Sequence, residues 1–224
     1  MNNYTCQLCK QDTLMICIKD VYFFQCPNCM LVKRDLNDRL TTNEEVDRYN
    51  QHVNKVDDVG YQNYFKKYIE EGLSPFINDK YRCLDYGSGP EPVLKHVLER
   101  DYNLEVNIYD KYYSTDSSVL NEKYDIITCT EVIEHIDDIM GLFNQFNYLL
   151  EDEGILFIMT NFHNLSIKDS YGIEEFSDWF YIRDKTHVSF FNINTFKKIC
   201  DVFNFKEIYT NNKNIIVLQK GDKI

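Results

Sequence analysis

The chain has 224 residues, with 24 Lys and Arg against 36 Asp and Glu, for a net charge of −12. Its hydrophobic fraction of 44%, with 17 Tyr and 15 Phe, can supply a core for one ordinary domain and a small appendage, which excludes global disorder. The acidic balance disfavours a broad phosphate-binding face, because sequence-independent nucleic-acid affinity comes from clustered Lys and Arg. No apolar run reaches the roughly 18–20 residues that span a bilayer. The start, MNNYTCQLCK, lacks the charged and apolar regions of a secretory signal, so a cytoplasmic protein without membrane contact is expected.

Five of the eight cysteines fall in the first 29 residues, and four of them form the pairs Cys6-x-x-Cys9 and Cys26-x-x-Cys29 with sixteen residues between the pairs. Each Cys-x-x-Cys knuckle puts two thiolates on one side of a turn, and two knuckles complete a tetrahedron around Zn²⁺. With four thiolate ligands the metal has no open position, so its role is structural. Ile16–Ile18 and Val21–Phe24 read as short strands between the knuckles, and residues 1–33 resemble a zinc ribbon. The competing reading is redox chemistry at the two pairs. Cys83, Cys129 and Cys200 stand among apolar neighbours as core residues, and Cys17 belongs to neither pair.

Residues 34–80 read as a helical connector. Thr42-x-x-Glu45 offers a capping box. Tyr61, Tyr64, Phe65, Tyr68 and Ile69 then recur on one helical face, until Gly72, Ser74 and Pro75 end it. From residue 81 to 224 the pattern alternates. A strand at Tyr81–Asp85 is followed by a helix at Pro90–Arg100, a strand at Glu105–Asp110 and a strand at Tyr124–Thr130. A helix at Ile136–Leu150, a strand at Gly154–Asn161 and a helix at Thr195–Phe203 follow. Phe205–Thr210 and Ile215–Gln219 flank an Asn-rich turn and predict a closing antiparallel hairpin. The fold class is therefore α/β, a doubly wound and mostly parallel sheet carrying that hairpin.

Leu84-Asp85-Tyr86-Gly87-Ser88-Gly89-Pro90 lies where the first strand turns into a helix. Glycines there permit a sharp turn and close approach to a ligand. Twenty-three residues after Gly87, Asp110 ends the next strand, where a carboxylate can accept the hydroxyls of an adenosine ribose. A dinucleotide turn needs a further glycine at position 92, which is Pro. These residues resemble motif I, Asp-x-Gly-x-Gly-x-Gly, of the class I S-adenosylmethionine-dependent methyltransferases.

The resemblance runs over about 140 residues, from Tyr81 to the C-terminus. Asp110 matches the ribose-binding acid of that family, Tyr124–Thr128 resembles the strand preceding its active-site segment, and Leu149–Leu156 its Leu-x-x-Gly-Gly-x-Leu turn. With the ribbon, the chain is similar to bacterial methyltransferases of undefined substrate. Those share a linker like Tyr49-x-x-His52-x-Asn54 with Gly60-Tyr61, and a late Asp-x-Thr-His-x-x-Phe-Phe segment, here Asp184 to Phe191. The resemblance implies a Rossmann-like fold and a cofactor held by Asp85, Gly87, Gly89, Asp110 and Glu131. Two departures stand out. Glu91 occupies the third motif I glycine position, where it suits a helix N-terminus. Only about a dozen residues separate Asp110 from Tyr124, so the third strand of the family must be vestigial or missing; Asp116 is the acid available there for adenine.

Glu131, Glu134 and His135 fall at i, i+3 and i+4, on one face of a single helical turn. With His187 they resemble the Glu-x-x-Glu-His and distant His of small-RNA 3′-terminal 2′-O-methyltransferases, and in part those of ubiquinone-pathway O-methyltransferases. That resemblance implies a second metal, Mg²⁺, Mn²⁺ or Fe²⁺, on Glu131, Glu134, His135 and His187. Without metal, His135 or His187 serves as the general base. Tyr171, Phe176, Trp179, Phe180, Tyr181, Phe190 and Phe191 flank His187 and either wall an acceptor pocket or cap the core. Tyr61 and the connector helix are placed as a lid. The expected function is O-methylation of a small molecule. The alternatives are a non-catalytic binding module, with Lys33, Arg34 and Arg39 as a small basic cluster, or an enzyme acting on RNA or a carrier protein. The sequence sets no oligomeric state.

Overall fold

A computed structural model of the chain describes residues 4–51, 55–167 and 170–222. His52 and Asn54 of the linker motif lie outside the described residues.

The chain opens with a hairpin of β1 (Leu14–Ile18) and β2 (Val21–Gln25). Lys19 and Asp20 connect them at φ 49° and 66°, the two left-handed residues that match a tight turn to the twist of a hairpin. β3 (Val32–Arg34) leaves the second knuckle directly. Two helices follow, α1 (Thr42–Tyr49) and α2 (Val59–Tyr68). The capping box lies one residue earlier than expected. Thr41 Oγ1 accepts from the Glu44 amide, and Glu44 Oε2 accepts from the Thr41 amide at 2.8 Å. Phe65 and Ile69 are buried as their spacing predicts, whereas Tyr64 is exposed. The helix then widens by one turn at Ile69–Leu73, where a Cβ on Gly72 would meet Ile215 Cγ2 at 2.8 Å.

The main unit runs β4 (Arg82–Tyr86), α3 (Val93–Tyr102), β5 (Glu105–Tyr109), β6 (Tyr124–Thr130), α4 (Ile139–Leu149) and β7 (Leu150–Met159). It continues with α5 (Ser170–Asp178), β8 (Ser189–Phe190), α6 (Ile193–Phe203), β9 (Phe205–Thr210) and β10 (Ile215–Lys220). Three helix starts lie away from the expected positions. Pro92 caps α3, so Glu91 precedes the helix. Asp138 starts α4 by accepting from the Gly141 amide at 2.9 Å, and Asn192 starts α6 with its own capping box.

Six strands form one sheet in the order β5-β4-β6-β7-β10-β9. β5, β4, β6 and β7 are parallel, and β10 runs antiparallel to both its neighbours. This is the expected α/β, Rossmann-like sheet with a closing hairpin. Between Tyr109 and Tyr124 the described residues form a short 3-10 helix, Ser117–Asn121, and no strand, so β5 is the sheet edge. β6 and β7 lie in the middle and are apolar on both faces, as strands covered by helices on both sides must be. Cys83 and Cys129 are fully buried; Cys200 is only partly so, and Cys17 is exposed.

The second sheet, β1-β2-β3-β8, differs from a free-standing ribbon. Its fourth strand comes from the far end of the chain, with Val32 opposite Phe190 and Lys33 opposite Ser189. Leu8, Leu31 and the knuckle cysteines share a core cluster with Leu84, Phe191 and Phe196. Phe176, Tyr181 and Phe190 pack with Ile18, Phe23 and Val32. The late aromatic segment thus mostly seals the join between the two sheets, and only Phe180 and Tyr181 of it also line the cleft described next.

Candidate active site

A cleft of about 1050 Å³ opens at the carboxyl ends of β4, β5 and β6, where ligands bind in sheets of this kind. One wall is backbone. Gly87 and Gly89 both adopt left-handed φ, 85° and 67°. The turn is pinned by the Gly87 amide on the Tyr109 carbonyl at 2.7 Å and by the Gly89 amide on Asp110 Oδ2 at 3.0 Å. A Cβ on Gly87 would lie 2.2 Å from Val132 Cγ2, whereas one on Gly89 meets nothing within 4 Å and faces open space. Asp110 Oδ1 accepts from the amides of Tyr112 and Tyr113 at 2.8 and 3.1 Å. Its carboxylate is held by three backbone donors, and one acceptor position is left for a ligand hydroxyl.

Asp85 sits below the turn, 2% exposed, with one hydrogen bond from Thr128 Oγ1 at 3.0 Å. Burial pushes its carboxyl up to about 7, and the nearby Asp110 adds to the rise. A buried carboxyl with so few donors is poised to ionise beside a cation.

The opposite wall is made of titratable side chains. Glu131 has φ 53°, with its amide on the Met159 carbonyl, and only Ile133–His135 form a helical turn. The expected single helical face of Glu131, Glu134 and His135 is therefore corrected: the left-handed backbone at Glu131 breaks the spacing on which that face depends. Tyr181, which sequence reasoning did not single out for this wall, joins the acids instead. Its hydroxyl reaches Glu134 Oε1, Glu131 Oε2 at 3.1 Å and Thr160 Oγ1 at 3.1 Å. Burial and the neighbouring Glu131 carboxylate hold Glu134 well above the usual carboxylate range. Burial raises Glu131 as well, and of the pair Glu134 is the one kept protonated. Glu134 is fully buried, and its Oε2 has no hydrogen-bond partner.

His135 and His187 lie with ring centroids 4.8 Å apart. His135 Nδ1 faces the Thr186 carbonyl at 3.1 Å, and His187 Nδ1 faces the Tyr181 carbonyl at 2.8 Å. A carbonyl only accepts, so each Nδ1 carries the proton and Nε2 is the basic nitrogen. Burial first, then the proximity of His135, lowers His187 to about 3, so its imidazole is neutral at ordinary pH.

Ligand atoms of Glu134, His135 and His187 all come within 4.8 Å of one another. The orphaned Oε2 of Glu134 and the two imidazoles fit a divalent cation. Glu131, the fourth residue expected there, lies outside that group, with its carboxylate on the Tyr181 hydroxyl.

The connector supplies the roof. The Glu45 carboxylate accepts from the hydroxyls of Tyr49 and Tyr112, at 2.9 and 2.5 Å. Arg48 pairs with Asp184 at 2.9 Å, and the ring of Tyr49 meets that of His135 edge-on at 5.3 Å. Tyr61 lines the cleft from α2. Asp116 is spent on capping the Ser117–Asn121 turn, where it accepts from the Ser118 amide at 2.9 Å.

Outside the cleft, the four ribbon cysteines converge. Sγ separations are 3.6 Å for Cys6–Cys29, 3.1 Å for Cys9–Cys26 and 3.8 Å for Cys9–Cys29. A tetrahedron with Zn–S bonds of about 2.3 Å has edges of about 3.8 Å, so the set could hold a metal ion. The basic cluster beside it is not a surface. Lys33 and Arg39 both pair with Asp137 at 2.6 Å, and Arg34 pairs with Asp38 at 2.6 Å.

A glycine turn at the switch from strand to helix, an acid closing the next strand and a cleft above both define a Rossmann-like methyltransferase architecture. A family profile described as "Methyltransferase domain" matches residues 46–210, from within α1 to the end of β9, and the chain belongs to that family. Solved structures with a similar fold include CalO1, a methyltransferase in calicheamicin biosynthesis in its SAH-bound form. At 11% identity and TM-score 0.48 it covers 65% of this chain and 50% of its own, so the present chain spans about half its length. The YcgJ protein of Bacillus subtilis matches at 11% identity and TM-score 0.49, covering 71% of this chain and 98% of its own. An O-methyltransferase family protein from Burkholderia thailandensis matches at 12% and 0.47, covering 73% and 57%. No curated protein matches the chain significantly by sequence. Among the described residues no helix is long and apolar enough to cross a membrane.

Proposed function

We propose that the protein transfers a methyl group from S-adenosylmethionine to an oxygen of a small molecule. The observation that carries the reading is the two-walled cleft, with the Gly87–Gly89 turn and Asp110 at one end and the His135–His187 pair at the other. S-adenosylmethionine supplies a methyl on a sulfonium, which an oxygen can displace in line. Gly87, Gly89 and Asp110 would hold the cofactor by its nucleoside, Asp85 would face its cationic part, and Glu131 lines the same space. The chain aligns the acceptor and removes its proton. With no cation bound, His135 Nε2 is the better base, because the burial that lowers His187 to about 3 leaves that imidazole weakly basic.

Glu134, His135 and His187 would hold a divalent cation, and two imidazoles with one carboxylate favour Mn²⁺ or Fe²⁺ over Mg²⁺. Such an ion acidifies a bound hydroxyl. It would take the place of the proton on Glu134. Cys6, Cys9, Cys26 and Cys29 would hold a structural Zn²⁺, as suits a reducing, cytoplasmic setting. The nucleic-acid alternative loses its support, since Lys33, Arg34 and Arg39 are turned inward onto Asp137 and Asp38.

Calorimetric titration of the full chain with S-adenosylhomocysteine tests the reading. Saturable one-to-one binding is expected, and no heat of binding at millimolar ligand sinks it. Elemental analysis, with Mn²⁺ titration of the wild type and of Glu134→Gln, tests the metals. One zinc per chain with identical Mn²⁺ isotherms would remove the second ion.

A further inference from the structure

β3 is three residues long, begins three residues after Cys29, and carries two cations that are almost completely buried: Lys33 is 1% exposed and Arg34 3%. Burying a charge is unfavourable unless it is fully partnered. Successive residues of a strand point to opposite faces, so the two side chains leave in opposite directions. Each ends on one of the two segments that carry the cleft histidines.

Arg34 spreads its guanidinium over the loop leading to His187. Its Nε donates to the His187 carbonyl at 2.9 Å, and Nη2 donates to the carbonyls of Ile182 at 2.5 Å and Asp184 at 3.2 Å. Its Nη1 is anchored on Asp38. That loop also holds the two carbonyls that fix the histidines, Tyr181 for His187 and Thr186 for His135. The Arg34 amide donates to the Val188 carbonyl at 3.0 Å, and the Val188 amide to the Glu134 carbonyl at 2.8 Å, so one line of hydrogen bonds joins β3 to both segments. On the other face, Lys33 Nζ donates to the Asp137 carbonyl at 2.9 Å and to Ser189 Oγ at 2.7 Å, and Ser189 Oγ donates to the Ile136 carbonyl. The backbone directly after His135 is held there.

We propose that Arg34 and Lys33 are positioning residues, through which the cysteine-bearing sheet holds the His187 loop and the His135 segment in register with each other. The proposal rests on the methyltransferase reading only for what the histidines do; the positioning stands on the geometry. A guanidinium suits the task because its fixed fork serves three carbonyls and the Asp38 carboxylate at once, one acceptor more than the three N–H bonds of an ammonium can meet.

The test is ¹⁵N NMR of the histidine side chains in the full chain at fixed pH. It is run on the wild type, Arg34→Met, Arg34→Lys and Lys33→Met. Arg82→Met, which removes ion pairs to Glu105 and Glu122 far from the cleft, is the control. In the wild type, both His135 and His187 should show the Nδ1–H tautomer. Arg34→Met is expected to turn His187, and with it His135, into tautomer mixtures. It should also raise amide exchange over residues 181–188 at least tenfold. Arg34→Lys should restore part of the wild-type pattern, and Lys33→Met should disturb His135 more than His187. Arg82→Met should lower the melting temperature and leave the imidazole signals unchanged. Wild-type tautomers in a folded Arg34→Met protein would overturn the proposal, as would the same disturbance in Arg82→Met. If Arg34→Met does not fold, Arg34→Lys decides: an undisturbed imidazole pattern there, with unchanged exchange in 181–188, refutes it. Failure to bind S-adenosylhomocysteine would sink the enzymatic reading and leave these signals just as informative.

Discussion

The two walls of the cleft are built by different means. The Gly87–Asp110 wall is main chain: two glycines at positive φ and a carboxylate held by three amides. The histidine wall is a set of buried and half-buried side chains, with His135 fixed by Thr186 some fifty residues away, and His187 by Tyr181 nearby and by Arg34 from the far side of the sequence. A wall of the first kind is rigid because its hydrogen bonds tie the backbone of two paired strand ends together. One of the second kind depends on packing elsewhere and on protonation, so its chemistry can be altered from a distance.

The sharpest way to break the first wall is Gly87→Ala. The added Cβ meets Val132 at 2.2 Å on a backbone at φ 85°. Overpacking and left-handed strain together should cost about 4–5 kcal/mol of stability, and S-adenosylhomocysteine binding should disappear. Urea unfolding and calorimetry measure both, and a loss below 1 kcal/mol would mean the wall yields.

Asp85→Asn sharpens the comparison, because this side chain joins the two kinds of construction. A carboxyl raised from its unfolded value near 4 to about 7 binds its proton more tightly in the folded chain. Folding stability from this group therefore falls as pH rises from about 4 to about 7, and is level above that. Roughly three pH units at about 1.36 kcal/mol each give a total of about 4 kcal/mol, which Asp85→Asn should abolish in unfolding measured between about pH 4 and 8. Ligation of a cation should release a proton near pH 7, seen as a buffer-dependent binding heat. An identical pH profile in both proteins would refute the assignment.

For the second wall, Tyr181→Phe removes one hydroxyl shared by Glu131, Glu134 and Thr160. Leaving those groups without their shared hydrogen-bond partner should cost about 1–3 kcal/mol. Binding of S-adenosylhomocysteine should change less than threefold, since its wall is untouched. A larger drop in affinity would show the walls to be one unit.

Legibility in the sequence divides along the same line. The glycine turn, Asp110 and the missing third strand could be read from spacing, because a strand-to-turn-to-helix unit is a local event. The cysteine pairs were legible for the same reason. Tyr181 could not be assigned to the acids, since it lies about fifty residues from them at the end of an aromatic run, Trp179-Phe180-Tyr181, that reads as ordinary core. Glu131 and Glu134 read as helical neighbours, because the left-handed residue that breaks the turn is Glu131 itself, with no glycine to announce it. Lys33 and Arg34 looked like a surface patch, since a charge run is usually solvated, and only the tertiary fold reveals Asp137, Asp38 and the carbonyls that bury them.

The pairing of β3 with β8 closes a loop from Lys33 to Ser189, a separation of 156 residues. A ribosome releases the first knuckles long before the strand that completes their sheet exists. Until Phe190 emerges, the nascent segment carries one bare strand edge and two cations without their final partners. Closure of so long a loop is entropically slow. Assembly of this contact would therefore coincide with assembly of the histidine wall, so that a chain not yet made as far as β8 has only the glycine wall of the cleft.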